Sequence, residues 1–187
     1  LVGGIAATFC ALHFGTLPSW LLIPLMMICG MTAGGIWGFI PAFFRARFKT
    51  NETIFTLMLN YVALKIITYL QYGPWRDPAA MGFPKIASFP PSAVLPKVLG
   101  VHCGWIIALV AAVIMYIFMK HSKKGYEISV VGESENTARY AGMNVGRVIM
   151  FTMVISGAMA GLAGVVQASA VSKTLSVELS SGIGYTA

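Results

Sequence analysis

The chain has 187 residues, of which 57% are apolar and only 10% charged, with a net charge of +7 and a mean hydropathy of +0.78. A soluble domain carries about 25% charged residues, so this composition excludes a water-clothed globule and makes lipid the natural solvent. The positive balance does not indicate nucleic acid, because the basic residues fall at the ends of apolar runs, as membrane topology requires.

A spanning helix needs about 20 mostly apolar residues at ~1.5 Å each. Five runs, at about 1–17, 20–44, 54–72, 103–119 and 148–171, predict an all-α, polytopic transmembrane bundle. The first run reads as part of a helix and not as a signal peptide, since it has neither a basic n-region nor an A-x-A site followed by a soluble domain. The chain does not begin with Met and stops at GIGYTA, so we read it as a fragment of one transmembrane domain of a longer protein.

In the second run Gly30, Gly34 and Gly38 recur every four residues, a flat stripe that lets helix backbones touch. The stripe reads either as simple packing or as a surface that slides during gating. Pro41 is expected to bend or stop this helix. Arg45, Arg47 and Lys49 follow, and Thr50 or Asn51 can cap the third run with Glu52 at its positive dipole end. Within that run lie Thr56 and, one turn on, Asn60. A buried amide in lipid must be bonded; Asn60 either bonds a neighbouring helix or lines a polar solute path. Lys65 reads as a snorkelling side chain or, alternatively, as a cavity-facing one.

The segment 73–102 holds six of the nine prolines and is either an ordered cap or a loose linker. Trp20, Trp75 and Trp105 are expected at the outer interface. Lys120, Lys123 and Lys124 follow the fourth run, and Arg139 and Arg147 precede the fifth, so loops 45–53 and 120–147 are expected to be cytoplasmic and 73–102 external. In the fifth run Gly157, Gly161 and Gly164, with Ser156 nearby, form a second small-residue stripe.

The wet segment before the fifth run carries its own punctuation. Ser134 is a plausible N-cap, a short helix from Glu135 to Ala141 follows, and Gly142 stands where a C-terminal cap belongs. So short a helix needs a partner surface. Ala138, Ala141 and Gly142 would allow close approach, with Glu133, Glu135, Asn136 and Arg139 around them; a solvated loop with a chance helix is the equal alternative. The chain has no phosphate loop, HExxH motif or nucleophile elbow. Cys10, Cys29 and Cys103 have no metal or disulfide spacing, and no catalytic cluster or metal site is expected.

The stretch GYEISVVGESENTARYAGMNVGR, followed by SGAMAGLAGVVQ, resembles the permease subunits of ATP-binding-cassette importers of the ribose and nucleoside type. That family carries a G-Y-E-x-R-A-V-G-E-N-x-x-A-A-R-Y-A-G-I-N-V pattern and then S-G-A-x-A-G-L-A-G. GGIWGFIPAFFRARFKTNETIFTLMLNYVA and YGPWRDP also resemble it and favour the nucleoside branch. The resemblance runs from about Trp20 to the end.

It implies a pore-forming subunit in a bacterial inner membrane. The partners implied are a second permease, the same or similar, a cytoplasmic ATP-binding subunit, and an extracytoplasmic binding protein or lipoprotein. ATP and Mg would be bound by the ATPase, with no cofactor in this chain. The family docks a short coupling helix into its ATPase. The positions here that keep the pattern are Gly132, Glu133, Ala138, Arg139, Tyr140, Ala141 and Gly142, with Asn136 at a variable position. Ser129, Ser134 and Thr137 depart from it.

Two expectations follow. In the first, solute arrives near Trp75, Arg76 and Asp77 and passes Thr56 and Asn60, by alternating access driven by the separate ATPase. The alternative is an ATPase-independent carrier or membrane-embedded enzyme. No acidic residue lies inside any of the five runs, so coupling through intramembrane carboxylates is unsupported.

Overall fold

In the computed structural model of the chain, residues 1–48, 50–77, 85–98 and 101–176 are described. Lys49, Pro78, Pro84 and Glu178 lie outside them. The helices are α1 (Val2–His13), α2 (Ser19–Phe48), α3 (Glu52–Tyr72), α4 (Gly104–His121), α5 (Lys123–Glu133), α6 (Glu135–Tyr140) and α7 (Val145–Val166), the last continuing as a π-helical turn over Gln167–Ser172. Between α3 and α4 stand a 3₁₀ turn (Pro91–Ala93) and a two-residue antiparallel ribbon of β1 (Lys97–Val98) with β2 (Val101–His102). The architecture is an all-α bundle.

Among the described residues, four helices are long and apolar enough to cross a membrane: α2, α3, α4, and α7 with its π-helical extension. The first expected span, 1–17, differs. Its helix covers 12 residues and closes on Phe14, whose N–H bonds Cys10 O. That gives about 18 Å of helix against about 30 Å of hydrocarbon.

The second span is longer than expected. α2 runs 30 residues through both Pro24 and Pro41 to Phe48, so Pro41 does not stop it. Proline removes one helical N–H, which a membrane helix tolerates when neighbours enclose the turn, and Pro41 is buried. Arg45 and Arg47 therefore sit on the last turn of α2, where cations complement the helix dipole.

α2 and α7 form the principal contact of the bundle, with α1 packed across both. The contact is backbone on backbone. A Cβ added to Gly157 would stand 2.5 Å from Gly34 O and 3.2 Å from Gly38 Cα, and one added to Gly34 would stand 2.8 Å from Gly161 Cα. A Cβ on Gly38 would meet Met153 O at 2.8 Å, and one on Gly30 would run into Val165. Gly164 meets α1, with Gly4 N 3.2 Å from its would-be Cβ. In lipid, where no hydrophobic drive pulls helices together, this close van der Waals fit is the main attraction.

The described part of 73–102 is an ordered cap. Ile86, Phe89 and Ala93 are buried in one cluster with Ala7, Cys10 and Ala11 of α1, Leu22 and Met26 of α2, and Leu175. Phe89 N–H donates to Lys173 O (2.9 Å), Ser92 Oγ–H to Gly15 O (2.8 Å) and Thr174 Oγ1–H to Ile86 O (3.0 Å). Proline-rich backbone has few N–H groups to satisfy, which suits a lid that lies across helix ends. Cys10 and Cys29 belong to this apolar region and remain free thiols, as does Cys103.

The segment 120–147 holds more helix than its composition suggests. Ser122 caps α5 by accepting from Gly125 N–H at 2.9 Å. Gly125 is buried against the α4 backbone, where a Cβ would stand 2.7 Å from Met119 Cα, so the corner between the two helices requires glycine. α5 then packs on α7.

Candidate coupling surface and solute cleft

At the basic end of the bundle α6 is closed at both ends. Ser134 Oγ accepts from Thr137 N–H at 3.3 Å. At the other end Gly142 N–H donates to Arg139 O and Met143 N–H to Ala138 O, both at 3.0 Å. Gly142 has φ +76°. This is the paired 5→2 and 6→1 bonding of a Schellman cap, whose left-handed residue is best supplied by glycine. The helix itself spans Glu135–Tyr140, with Ala141 as its C-cap.

The faces of α6 differ. Ala138 is 0% exposed. It seats α6 on its own chain and is not part of an outward surface, contrary to the expectation that it offers close approach to a partner. Tyr140 is 95% exposed, and Glu133, Asn136, Arg139, Ala141, Gly142 and Gly132 are exposed beside or around it. An aromatic ring so fully in water, on so short and so well capped a helix, has the composition of an interface anchor.

α6 is also tied sideways. Arg45, on the last turn of α2, forms an ion pair with Glu52 on the first turn of α3. Its other amino group, Nη2, donates to Glu135 Oε1 on α6 at 3.5 Å. Arg139 lies 3.9 Å from the second oxygen of Glu135. Asn51 Oδ1 caps α3 by accepting from Thr53 N–H at 3.0 Å, one of the two caps expected. Together Arg45, Glu52, Glu135, Asn136 and Arg139 border a cleft of about 540 Å³. These contacts bring the end of α2 and the start of α3 beside α6, so the basic residues Arg45 and Arg139 lie at one end of the molecule, as the expected topology requires.

Further along α3, exposed Thr56 and half-buried Asn60 face the glycine stripes. They line a cavity of about 220 Å³ with Gly34, Trp37, Gly38, Gly157 and Gly161. A second cavity of about 210 Å³ shares Trp37, Gly38, Thr56, Gly157 and Ala160 with it and adds Pro41 and Ser156. Thr56 Oγ1–H donates back to Glu52 O at 2.9 Å, leaving its oxygen lone pairs as acceptors. Trp37 was not singled out by sequence reasoning. The available signal is its depth: it stands eleven residues before the end of α2, about 16 Å of helix, whereas tryptophan in membrane proteins favours the interfaces. Lys65 is on another face of α3, exposed in a shallow groove with Tyr61, Ile66 and Tyr69.

At the opposite end Trp20 is 76% and Trp105 46% exposed. Trp75 is half-buried on the cap cluster and lies 6.5 Å, ring to ring, from Phe9. Its carbonyl accepts from Ala87 N–H, and Asp77 N–H donates to Lys85 O. Arg76 is exposed and Asp77 half-buried. A groove of about 900 Å³ at this end runs between Trp20, Pro24, Phe89, Val94 and Lys173; Trp75, Arg76 and Asp77 do not line it. Trp75 therefore serves to hold the cap, while Arg76 keeps its side chain in the open.

Comparison with known proteins gives a consistent picture. The family model described as "branched-chain amino acid transport system / permease component" matches residues 1–187. The chain is 38% identical over 177 residues to the guanosine ABC transporter permease protein NupP of Bacillus subtilis, covering 89% of this chain and 49% of that protein. It is 36% identical over 176 residues to the nucleoside ABC transporter permease protein NupB of Lactococcus lactis, covering 89% and 48%. It is 33% identical over 200 residues to the glucose ABC transporter permease protein TsgB13 of Haloferax volcanii, covering 100% and 52%. The chain thus spans about half the length of these relatives. No solved structure matches it. With four described helices long and apolar enough to cross a membrane and a family match over residues 1–187, the chain belongs to the permease-component family of the branched-chain amino acid transport system type.

Proposed function

We propose that this chain is the gate-bearing part of a permease subunit of an ATP-binding-cassette importer, moving a nucleoside or related small polar solute inward by alternating access. The observation that carries the reading is α6: six residues, capped at both ends, seated through buried Ala138 and presenting Tyr140 at 95% exposure. A stiff knob of this kind suits a groove on a separate ATPase, which would hold the ATP and Mg. The names of two relatives, a guanosine and a nucleoside permease, support the solute class.

Energy would travel as displacement. Closure of the ATPase pushes α6, and Arg45 joins α6 through Glu135 to the start of α3 through Glu52. α3 carries Thr56 and Asn60 along the inner cleft. Movement at the basic end would thus shift the wall of the solute path. A second permease completes the pore, and a binding protein or lipoprotein delivers solute at the tryptophan-rich end, with Arg76 and Asp77 as contact candidates beside the cap.

The test is uptake by the full-length protein in vesicles with its ATPase, second permease and binding protein. The reading expects uptake of radiolabelled guanosine only when ATP is supplied to the ATPase side. ATP-independent uptake by the permease alone would contradict it and favour a secondary carrier.

A further inference from the structure

α3 carries polar side chains on two sides, and the bundle covers only one. Ala63 and Ile67 are its buried residues. On the opposite side Tyr61, Lys65, Tyr69 and Tyr72 follow one another at spacings of four, four and three, a single helix face. All four are exposed, Tyr61 at 67% and Tyr69 at 72%. Tyr61, Val62, Lys65, Ile66 and Tyr69 line a groove of about 420 Å³ along this face. Its walls are mostly carbon, made of ring faces and aliphatic side chains. The polarity stands at the tips, in the phenol hydroxyls and the ammonium.

Depth decides what this face meets. Tyr61 stands nine residues after the start of α3 and eleven before its end, about 14 Å and 16 Å along the helix. That is the middle of the span. A phenol is rigid and too short to reach either interface from there, and a hydroxyl in hydrocarbon without a partner is costly. Among the described residues, the Tyr61 and Tyr69 hydroxyls and the Lys65 ammonium have no hydrogen-bond partner. Lys65 alone could snorkel. Lys65 and Tyr61 together, one turn apart on one face, call for water or a polar solute.

α4 supplies the contrast. It too is little covered, with Gly104 its one buried residue. Across its middle the exposed side chains are Leu109, Val110, Val113, Ile114 and Ile117, all aliphatic, as a lipid-facing surface should be. Its exposed tyrosine, Tyr116, lies towards the basic end, where Lys120 Nζ donates to the hydroxyl at 3.0 Å. Two helices of one bundle thus turn outward faces of different chemistry.

From this contrast we propose that the outward face of α3 lines the water-filled solute path, with Lys65 donating to oxygen acceptors of the passing solute and the rings of Tyr61 and Tyr69 bounding it along the helix. The site takes a neutral solute with acceptor oxygens and repels a cation. This rests on the transport reading above and gives the path a second surface on α3, beyond Thr56 and Asn60.

The test uses the full-length protein, its cysteines replaced, with its ATPase, second permease and binding protein in vesicles. Single cysteines are introduced by Tyr61→Cys and Lys65→Cys on α3 and, at matching depth, by Ile114→Cys and Val110→Cys on α4. The probe is a charged, membrane-impermeant methanethiosulfonate. Because the thiolate is the reactive form and needs water to exist, the α3 positions should label at least roughly ten-fold faster than the α4 positions. Saturating guanosine, uridine or ribose, whichever the unsubstituted protein takes up with ATP, should slow labelling at positions 61 and 65. Lys65→Leu should lower that uptake with expression and ATP hydrolysis retained, and Lys65→Arg should restore most of it. Labelling on α3 no faster than on α4, in an assembly that transports, overturns the proposal: lipid or a packed helix then covers the face. Fast labelling that solute does not slow, or unchanged uptake in Lys65→Leu, overturns it as well. Absence of ATP-dependent uptake by the unsubstituted protein would instead strike the importer reading and this proposal with it.

Discussion

Arg45 and Glu135 lie 90 positions apart in sequence, yet Arg45 Nη2 is 3.5 Å from Glu135 Oε1. The contact joins the last turn of a membrane-crossing helix to the first turn of the exposed helix α6. Both side chains are partly in water, so the pair is worth at most about 1 kcal/mol of stability. Its consequence is mechanical: it holds α6 to the α2–α3 corner.

Arg45→Gln is therefore expected to leave expression and membrane insertion unchanged and the melting temperature within a few degrees. ATP-driven uptake should fall, while ATP hydrolysis by the assembled transporter persists. A double-mutant cycle with Glu135→Gln should show the two losses to be less than additive. Full additivity would mean that the pair carries no coupling.

Gly142 and Ala138 should fail for different reasons. Gly142 adopts φ +76°, a region that costs an L-residue roughly 1–2 kcal/mol and a β-branched one more. Gly142→Val should fray the end of α6, whereas Gly142→Asn should be tolerated. Ala138→Arg puts a long cation where there is no exposure and should unseat α6 altogether. Hydrogen exchange across 134–145 would separate the three, with most protection kept in Gly142→Asn and least in Ala138→Arg.

The glycine contact between α2 and α7 should tolerate no bulk. Gly157→Leu drives a side chain into the backbone of Gly34 and Gly38, and overpacking of this sort costs ~1–3 kcal/mol or more. Detergent-solubilised Gly157→Leu should melt well below the unsubstituted protein. Gly132→Ala, where a Cβ meets open space, should melt normally.

The cap depends on Phe89. It is 7% exposed, and Phe→Ala at a buried site typically costs ~3–5 kcal/mol. Phe89→Ala should release residues 85–96 to limited proteolysis from the tryptophan-rich face while α2 and α7 remain protected. Ser92→Ala removes one hydrogen bond to Gly15 and should raise cleavage only slightly.

Much of this was readable in the residues because the chemistry is local. Ser134 and Gly142 are caps wherever a helix must start and stop, Asn51 likewise, and glycine every fourth residue means a close helix contact. What was not readable depended on distant partners or on patterns without a period. α5 is short and charged and carries Gly125 and Gly132; it is held by Ser122 and by packing on α7. α2 passes through Pro41 because the surrounding helices enclose that turn. Ala138 faces inward and Trp37 borders a cleft only once α2, α3 and α7 are in place. The pairing of Arg45 with two acids on different helices has no sequence signature at all.

The central claim is that α6 is gripped by a separate ATPase, and a cross-link tests it most directly. With Tyr140→Cys in the full-length permease and a single cysteine in the helix-binding groove of the ATPase, the account predicts a disulfide-linked pair under mild oxidation. It predicts that uptake stops when the bond forms and resumes on reduction. Cross-linking absent at Tyr140 but present from a cysteine at the tryptophan-rich end, or uptake that continues with the ATPase removed, would contradict it.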